Sequence, residues 1–113
     1  MEIVYDKLVR DNIPEIIKSN NEEPIYRKLD DNEYWEYLLK KDVEELEEIK
    51  TANTNIERKK KLADKLELII AMAEYNGYTL QDIIDEANNK RNKRGGFNKR
   101  ILLEKVIEND IKK

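Results

Sequence analysis

The sequence predicts an all-α protein, and three observations carry that expectation. Two consecutive stretches, Trp35 to Ile49 and Leu62 to Ala73, repeat apolar residues at the three- and four-residue spacing of an α-helix. Only three Gly and two Pro interrupt 113 residues. The segments between the periodic stretches carry residues that cap helix ends. The length suits one domain, residues 1–113, with a modest core. A mean hydropathy of -0.90 suits helices with one wet side, or a helical bundle completed by oligomerisation.

Met1 to Arg10 alternates loosely and reads as a short strand or an extended arm. Asp11-Asn12-Ile13-Pro14 is a helix start, with a side-chain cap and Pro in the first turn, and Asn20-Asn21 ends that helix. Pro24 to Leu29 can be a second short strand, with Ile3 to Tyr5 as its partner in an N-terminal β-hairpin. Asp30 or Asp31 caps the next helix, expected over about 32–50, and Thr51 to Asn55 makes the turn into a helix over about 56–75. Asn76-Gly77 closes that one through a left-handed glycine. Thr79 to Asp82 resembles a capping box opening a helix with Leu80, Ile83, Ile84 and Ala87 inward, and Gly95-Gly96 breaks it. Ile101 to Ile107 is an apolar tail expected to pack on the bundle.

Placed at 100° steps, Trp35, Leu38, Leu39, Val43, Leu46 and Ile49 form one stripe. Asp42 falls in the middle of it, Glu45 at its edge and Glu48 just beyond, whereas Glu44 and Glu47 point away. The following helix is apolar on two sides. Leu62, Ala63, Leu66, Ile69, Ile70 and Ala73 make one face, and Lys61, Asp64, Leu68, Met72 and Tyr75 the other, so it is expected to be sandwiched by a second layer or subunit. An acidic run is ordinarily a solvated helix face. The alignment of Asp42, Glu45 and Asp64 with apolar residues sets this one apart, because an unpaired charge facing a core costs several kcal/mol, roughly, and needs a partner such as a hard divalent cation.

The chain has no Cys and no His, which excludes disulfides, thiolate and imidazole ligands and histidine bases. Any catalysis must use carboxylates, lysines, tyrosines or a metal with oxygen ligands. No apolar run approaches the ~20 residues of a membrane span and the N-terminus lacks a signal-peptide core, so no membrane partner and a soluble, cytoplasmic protein are expected. Its Lys- and Asn-rich composition points to a bacterial or phage genome. The net charge of -3 hides six basic residues between Lys90 and Arg100 with no acid among them. Lys93-Arg94-Gly95-Gly96-Phe97 sets cations beside a flexible backbone with free N–H groups, which suits phosphate oxygens. Phe97 either anchors this loop or stacks on a base. Nucleic acid is disfavoured by the acidic total, which argues for a pocket for one small anion.

Four pieces, Tyr5-Asp6-Lys7-Leu8-Val9-Arg10-Asp11-Asn12-Ile13-Pro14-Glu15-Ile16-Ile17, Glu44-Glu45-x-x-Glu48, Leu62-Ala63-Asp64 and Arg94-Gly95-Gly96-Phe97, resemble the MazG-like, phosphoribosyl-ATP pyrophosphohydrolase-like family, in order and over nearly the whole chain. The resemblance implies an all-α NTP pyrophosphohydrolase fold, assembled as a homodimer or homotetramer. Such proteins cleave nucleotides between the α and β phosphates, releasing a monophosphate and pyrophosphate. It also implies Mg²⁺ on a Glu-Glu-x-x-Glu helix and a Glu-x-x-Asp helix. Carried over by position, the ligands are Glu45, Glu48 and Asp64, with Glu44 and Glu45 as candidate catalytic acids. Asn88, Arg91, Lys93, Arg94, Gly95 and Gly96 are candidate nucleotide contacts, together with Lys7, Arg10 and Lys61.

The sequence departs from the family at one ligand. Lys61 stands where the first Glu of Glu-x-x-Asp is expected, removing two oxygens and adding a positive charge beside the metal. Three outcomes follow: Lys61 replaces the cation and pairs with an acid or a ligand phosphate, Asp42 supplies the lost carboxylate, or Glu57, one turn earlier, reaches the ion. The leading expectation is a nucleotide-binding protein with an impaired metal site, a sponge for a signalling nucleotide. The alternative is an active Mg²⁺-dependent house-cleaning hydrolase in which Glu44 orients the attacking water.

Overall fold

Local capping chemistry sets the helix limits. A computed structural model describes residues 1–108, which form four helices, α1 (Ile13–Ser19), α2 (Asp31–Thr51), α3 (Asn55–Tyr75) and α4 (Leu80–Arg94), and no strand. The all-α expectation holds. Asp30 is the cap of α2, its carboxylate accepting the Glu33 N–H at 2.9 Å. Arg27 grips the same turn, its two terminal nitrogens donating to both Glu33 oxygens at 3.0 and 2.8 Å. Thr54 caps α3 by accepting the Glu57 N–H at 3.1 Å, and the Glu57 carboxylate returns to the Asn53 N–H at 3.1 Å. Gly77, at φ 83°, ends α3, and the Tyr78 N–H donates to the Ala73 carbonyl at 2.9 Å.

Several expectations fail at the edges. Asn12 precedes α1 without a side-chain cap bond. Residues 1–12 and 22–30 hold no strand, so the N-terminal β-hairpin is replaced by an extended arm. Ile3, Val4, Ile25 and Tyr26 are all exposed there, and a two-stranded ribbon without a face to bury is marginal in water. The tail from Ile101 to Ile107 is irregular and its apolar residues are exposed rather than packed.

The chain divides into two compact units, the first ending at Leu80 and the second beginning at Gln81. In the first, α2 and α3 pack as an antiparallel hairpin. The packed side of α2 runs through Leu38, Asp42, Glu45 and Ile49, spaced three and four apart, and that of α3 through Lys61, Asp64, Leu68 and Met72. The seam is therefore rotated from the apolar stripe expected on α2. Leu38 is 1% exposed and Glu45 lies at the centre of the seam rather than at its edge, while Val43 is 68% exposed and Leu39 and Leu46 also face outward. On α3 the charged line faces α2, and the more apolar side is open at Leu62, 55% exposed, and Leu66. In the second unit Ile83 is half-buried, but Ile84 and Ala87 are exposed rather than inward. Among the described residues no helix is long and apolar enough to cross a membrane.

Candidate functional site

The seam places acids of two helices against each other near the turn. Glu44, Glu45 and Glu48 come from α2, and Lys61 and Asp64 from the first half of α3, because an antiparallel hairpin sets the end of one helix beside the start of the next. Glu45 is 5% exposed, and its Oε2 has no hydrogen-bond partner. Burial pushes its carboxyl above the ordinary glutamate range, and the charges of Glu48 and Asp64 push the same way, against a weaker pull from Lys41. Such a group holds its proton longer than an exposed glutamate does.

Cations surround this carboxyl. The Lys61 ammonium donates to Glu48 Oε1 at 3.3 Å, and that bond, then the nearby charges of Glu48, Glu45 and Asp64, hold it protonated beyond the ordinary lysine range. Arg10 Nη2 lies 2.7 Å from Asp64 Oδ1, and its Nη1 3.9 Å from Glu67. Lys7 reaches Glu44 at 3.2 Å. Of the expected metal ligands, Glu48 and Asp64 are thus each held by a side-chain cation. Asp42 is held as well, by Lys65 at 2.7 Å, and the Glu57 carboxylate is committed to the turn that opens α3. Lys65 and Glu67 escaped sequence reasoning. The only sequence signal for them was their position one turn from Lys61 and Asp64.

Mg²⁺ asks for about six oxygens at about 2.0–2.1 Å, most of them waters, and one or two freely offered carboxylates. Among the described residues no group of three or more carboxylates is gathered so that it can hold a metal ion. With an ammonium on Glu48 and a guanidinium on Asp64, the side chains as arranged do not fit that ion. What they form instead is an open cleft of about 740 Å³ beside the turn, lined by Glu48, Thr51, Glu57, Lys60, Lys61 and Asp64. The two lysines can donate into it, whereas the Thr51 hydroxyl is committed to the Glu47 carbonyl at 3.0 Å.

At the far end of the hairpin Trp35 stacks on Tyr75 with centroids 5.0 Å apart, and Tyr34 meets Tyr75 edge-on at 6.0 Å. This aromatic set closes the seam where the two helices have no loop between them.

In the second unit Arg91, Lys93 and Arg94 occupy the last turn of α4, where cations complement the helix dipole. The Gly95 N–H donates to the Arg91 carbonyl at 2.8 Å, and Gly95 sits at φ 84°, so the glycine pair ends the helix as expected. Asn88, Arg91, Lys93, Arg94, Gly95 and Gly96 are all exposed, as is Phe97, which neither anchors nor is covered.

No protein-family model matches the sequence, and no solved structure matches it. Over 48 residues the chain is 46% identical to an uncharacterized protein of Mycolicibacterium smegmatis, strain ATCC 700084 / mc(2)155. That match covers 42% of this chain and 49% of the relative, so the chain spans about half the length of the protein it resembles.

The buried carboxyl gives a pH signature. A raised value in the folded state means that Glu45 contributes stability fully present below its ordinary value of 4.5, and lost as pH rises through the raised one. Glu45→Gln should therefore raise the melting temperature at pH 7 and leave it nearly unchanged at pH 4. Thermal denaturation followed by circular dichroism at the two pH values checks this, and an equal effect at both contradicts it.

Proposed function

We propose that the protein binds a phosphorylated nucleotide, or a nucleotide-derived signal, and retains it without efficient hydrolysis. In this reading it is a MazG-like chain whose divalent ion has been replaced by an ammonium. The observation that carries the reading is the Lys61–Glu48 pair at 3.3 Å beside the buried, half-unpaired Glu45 carboxyl. A positive charge there offsets the acids that metal would otherwise neutralise, and so removes the need for the ion that activates water. The Lys60 and Lys61 ammonium groups offer donors to phosphate in the same cleft. Independently, the run from Lys90 to Arg100 supplies six cations around a glycine pair, and an acid-free stretch of that length suits an anionic ligand better than it suits a helix end alone. The four sequence motifs add the pyrophosphohydrolase resemblance. Retention without turnover amounts to sequestration in the cytoplasm, a sponge for a nucleotide signal.

Calorimetry against nucleoside mono-, di- and triphosphates and cyclic nucleotides, with Mg²⁺ and with chelator, tests this. The expected result is a Kd that the chelator leaves unchanged, with no pyrophosphate released. Binding that fails without Mg²⁺, together with pyrophosphate release, overturns it in favour of the Mg²⁺-dependent hydrolase.

The same reading takes the working form to be a homodimer or homotetramer. Leu38, Leu68 and Ala73 are the apolar residues that reach full burial among those described, whereas Leu39, Val43, Leu46, Leu62 and Leu66 stay exposed on the hairpin. A folded state completed by a second copy is stabilised by mass action. Its melting temperature should rise by several degrees, roughly, across a hundredfold rise in protein concentration. A melting temperature independent of concentration, with a monomer mass by light scattering, contradicts self-association.

A further inference from the structure

The N-terminal arm touches the hairpin in an unusual way. Ile3, Val4, Tyr5 and Val9 are exposed, and only Leu8 of residues 1–10 is half-buried. Apolar burial therefore contributes little to holding the arm in place. Its side-chain attachments are ionic: Lys7 to Glu44 at 3.2 Å, and Arg10 to Asp64 at 2.7 Å with Glu67 at 3.9 Å. These pairs join residues far apart in sequence, so they fix the path of the arm across both α2 and α3. Two backbone features aim them. Asp6 adopts φ 45°, a left-handed turn uncommon for a residue other than glycine, directly before Lys7. The Arg10 carbonyl accepts the Ile13 N–H at 3.1 Å, which ties Arg10 to the start of α1.

The geometry points to an ionic strap: residues 5–12 are held over the acidic face by Lys7 and Arg10, and the strap opens when competing charge takes either side of those pairs. All the paired groups are part-exposed, and exposed ion pairs are individually weak and salt-screened, so a strap held this way is poised to release. Asp64 is both an anchor of the strap and a wall of the cleft beside Lys61, so opening the strap takes a guanidinium off one carboxylate of that cleft. The inference extends the function proposed above, but the strap itself does not depend on a nucleotide, and its test contains none.

Trypsin cuts after Lys7 and Arg10, and the rate relative to a free peptide of residues 1–14 reports how closed the arm is. In the wild-type chain at low ionic strength, cleavage at both bonds should be slow. It should rise about tenfold or more in the Glu44→Gln/Asp64→Asn variant, which leaves both cleavage sites intact. Salt at 1 M, where the Debye length is about 3 Å against about 10 Å at 0.1 M, should bring the wild-type rate up to that of the variant and leave the variant unmoved. The salt series on the wild type decides the matter even if the double variant loses helix content by circular dichroism. Equal cleavage of wild type and folded variant at low salt overturns the strap, as does a wild-type rate insensitive to salt.

Discussion

A carboxyl on the packed seam of a two-helix hairpin has to be neutralised, and the arrangement of charge around α2 and α3 follows from that constraint. Glu45 sits where a core residue belongs, with one oxygen unpaired. Burial favours its neutral form, and the neighbouring acids Glu48 and Asp64 favour it further. The chain answers with cations on each of those neighbours: Lys61 on Glu48 and Arg10 on Asp64. One turn away Lys65 does the same for Asp42. Together these pairs spread compensation over the seam, so that no single ion is required to hold it together.

That distribution bears on chemistry. Carboxylates free to bind a divalent ion would gain little from a lysine among them, whereas carboxylates already paired lose their attraction for the ion. An ammonium is a compact charge with three donors and no open coordination position for water. It can stabilise acids or meet a phosphate oxygen, but it cannot lower the pKa of a bound water as a metal does. In the function proposed above, Lys61 therefore favours retention over turnover by its charge and its chemistry alike.

Much of the architecture was legible in the sequence because it depends on local chemistry. Asp30, Thr54 and Gly77 mark the limits of α2 and α3 through side-chain caps and one left-handed glycine. Which face packs was not legible, because α3 is apolar on two sides and α2 offers both Leu38 and Val43 to a partner. Only tertiary register decides between them, and it chose the line containing Asp42 and Glu45. Lys61 stands out by its position three residues before Asp64, and pairing with an acid such as Glu48 is what a lysine among carboxylates leads one to expect. The contact of Arg10 with Asp64 joins residues 54 apart, and no spacing rule reaches that far. The arm and the apolar tail misled for one reason: weak alternation shows that a segment can be buried, not that a surface exists to bury it.

In the proposed function Lys61 occupies the place of a divalent ion. Manganese binding followed by electron paramagnetic resonance, on the wild-type chain and on Lys61→Glu, tests that most directly. Restoring two oxygens and removing one positive charge should tighten Mn²⁺ binding by about tenfold or more over a weak wild-type site. Tight binding by the wild-type chain, or equal affinity in the two, contradicts the account.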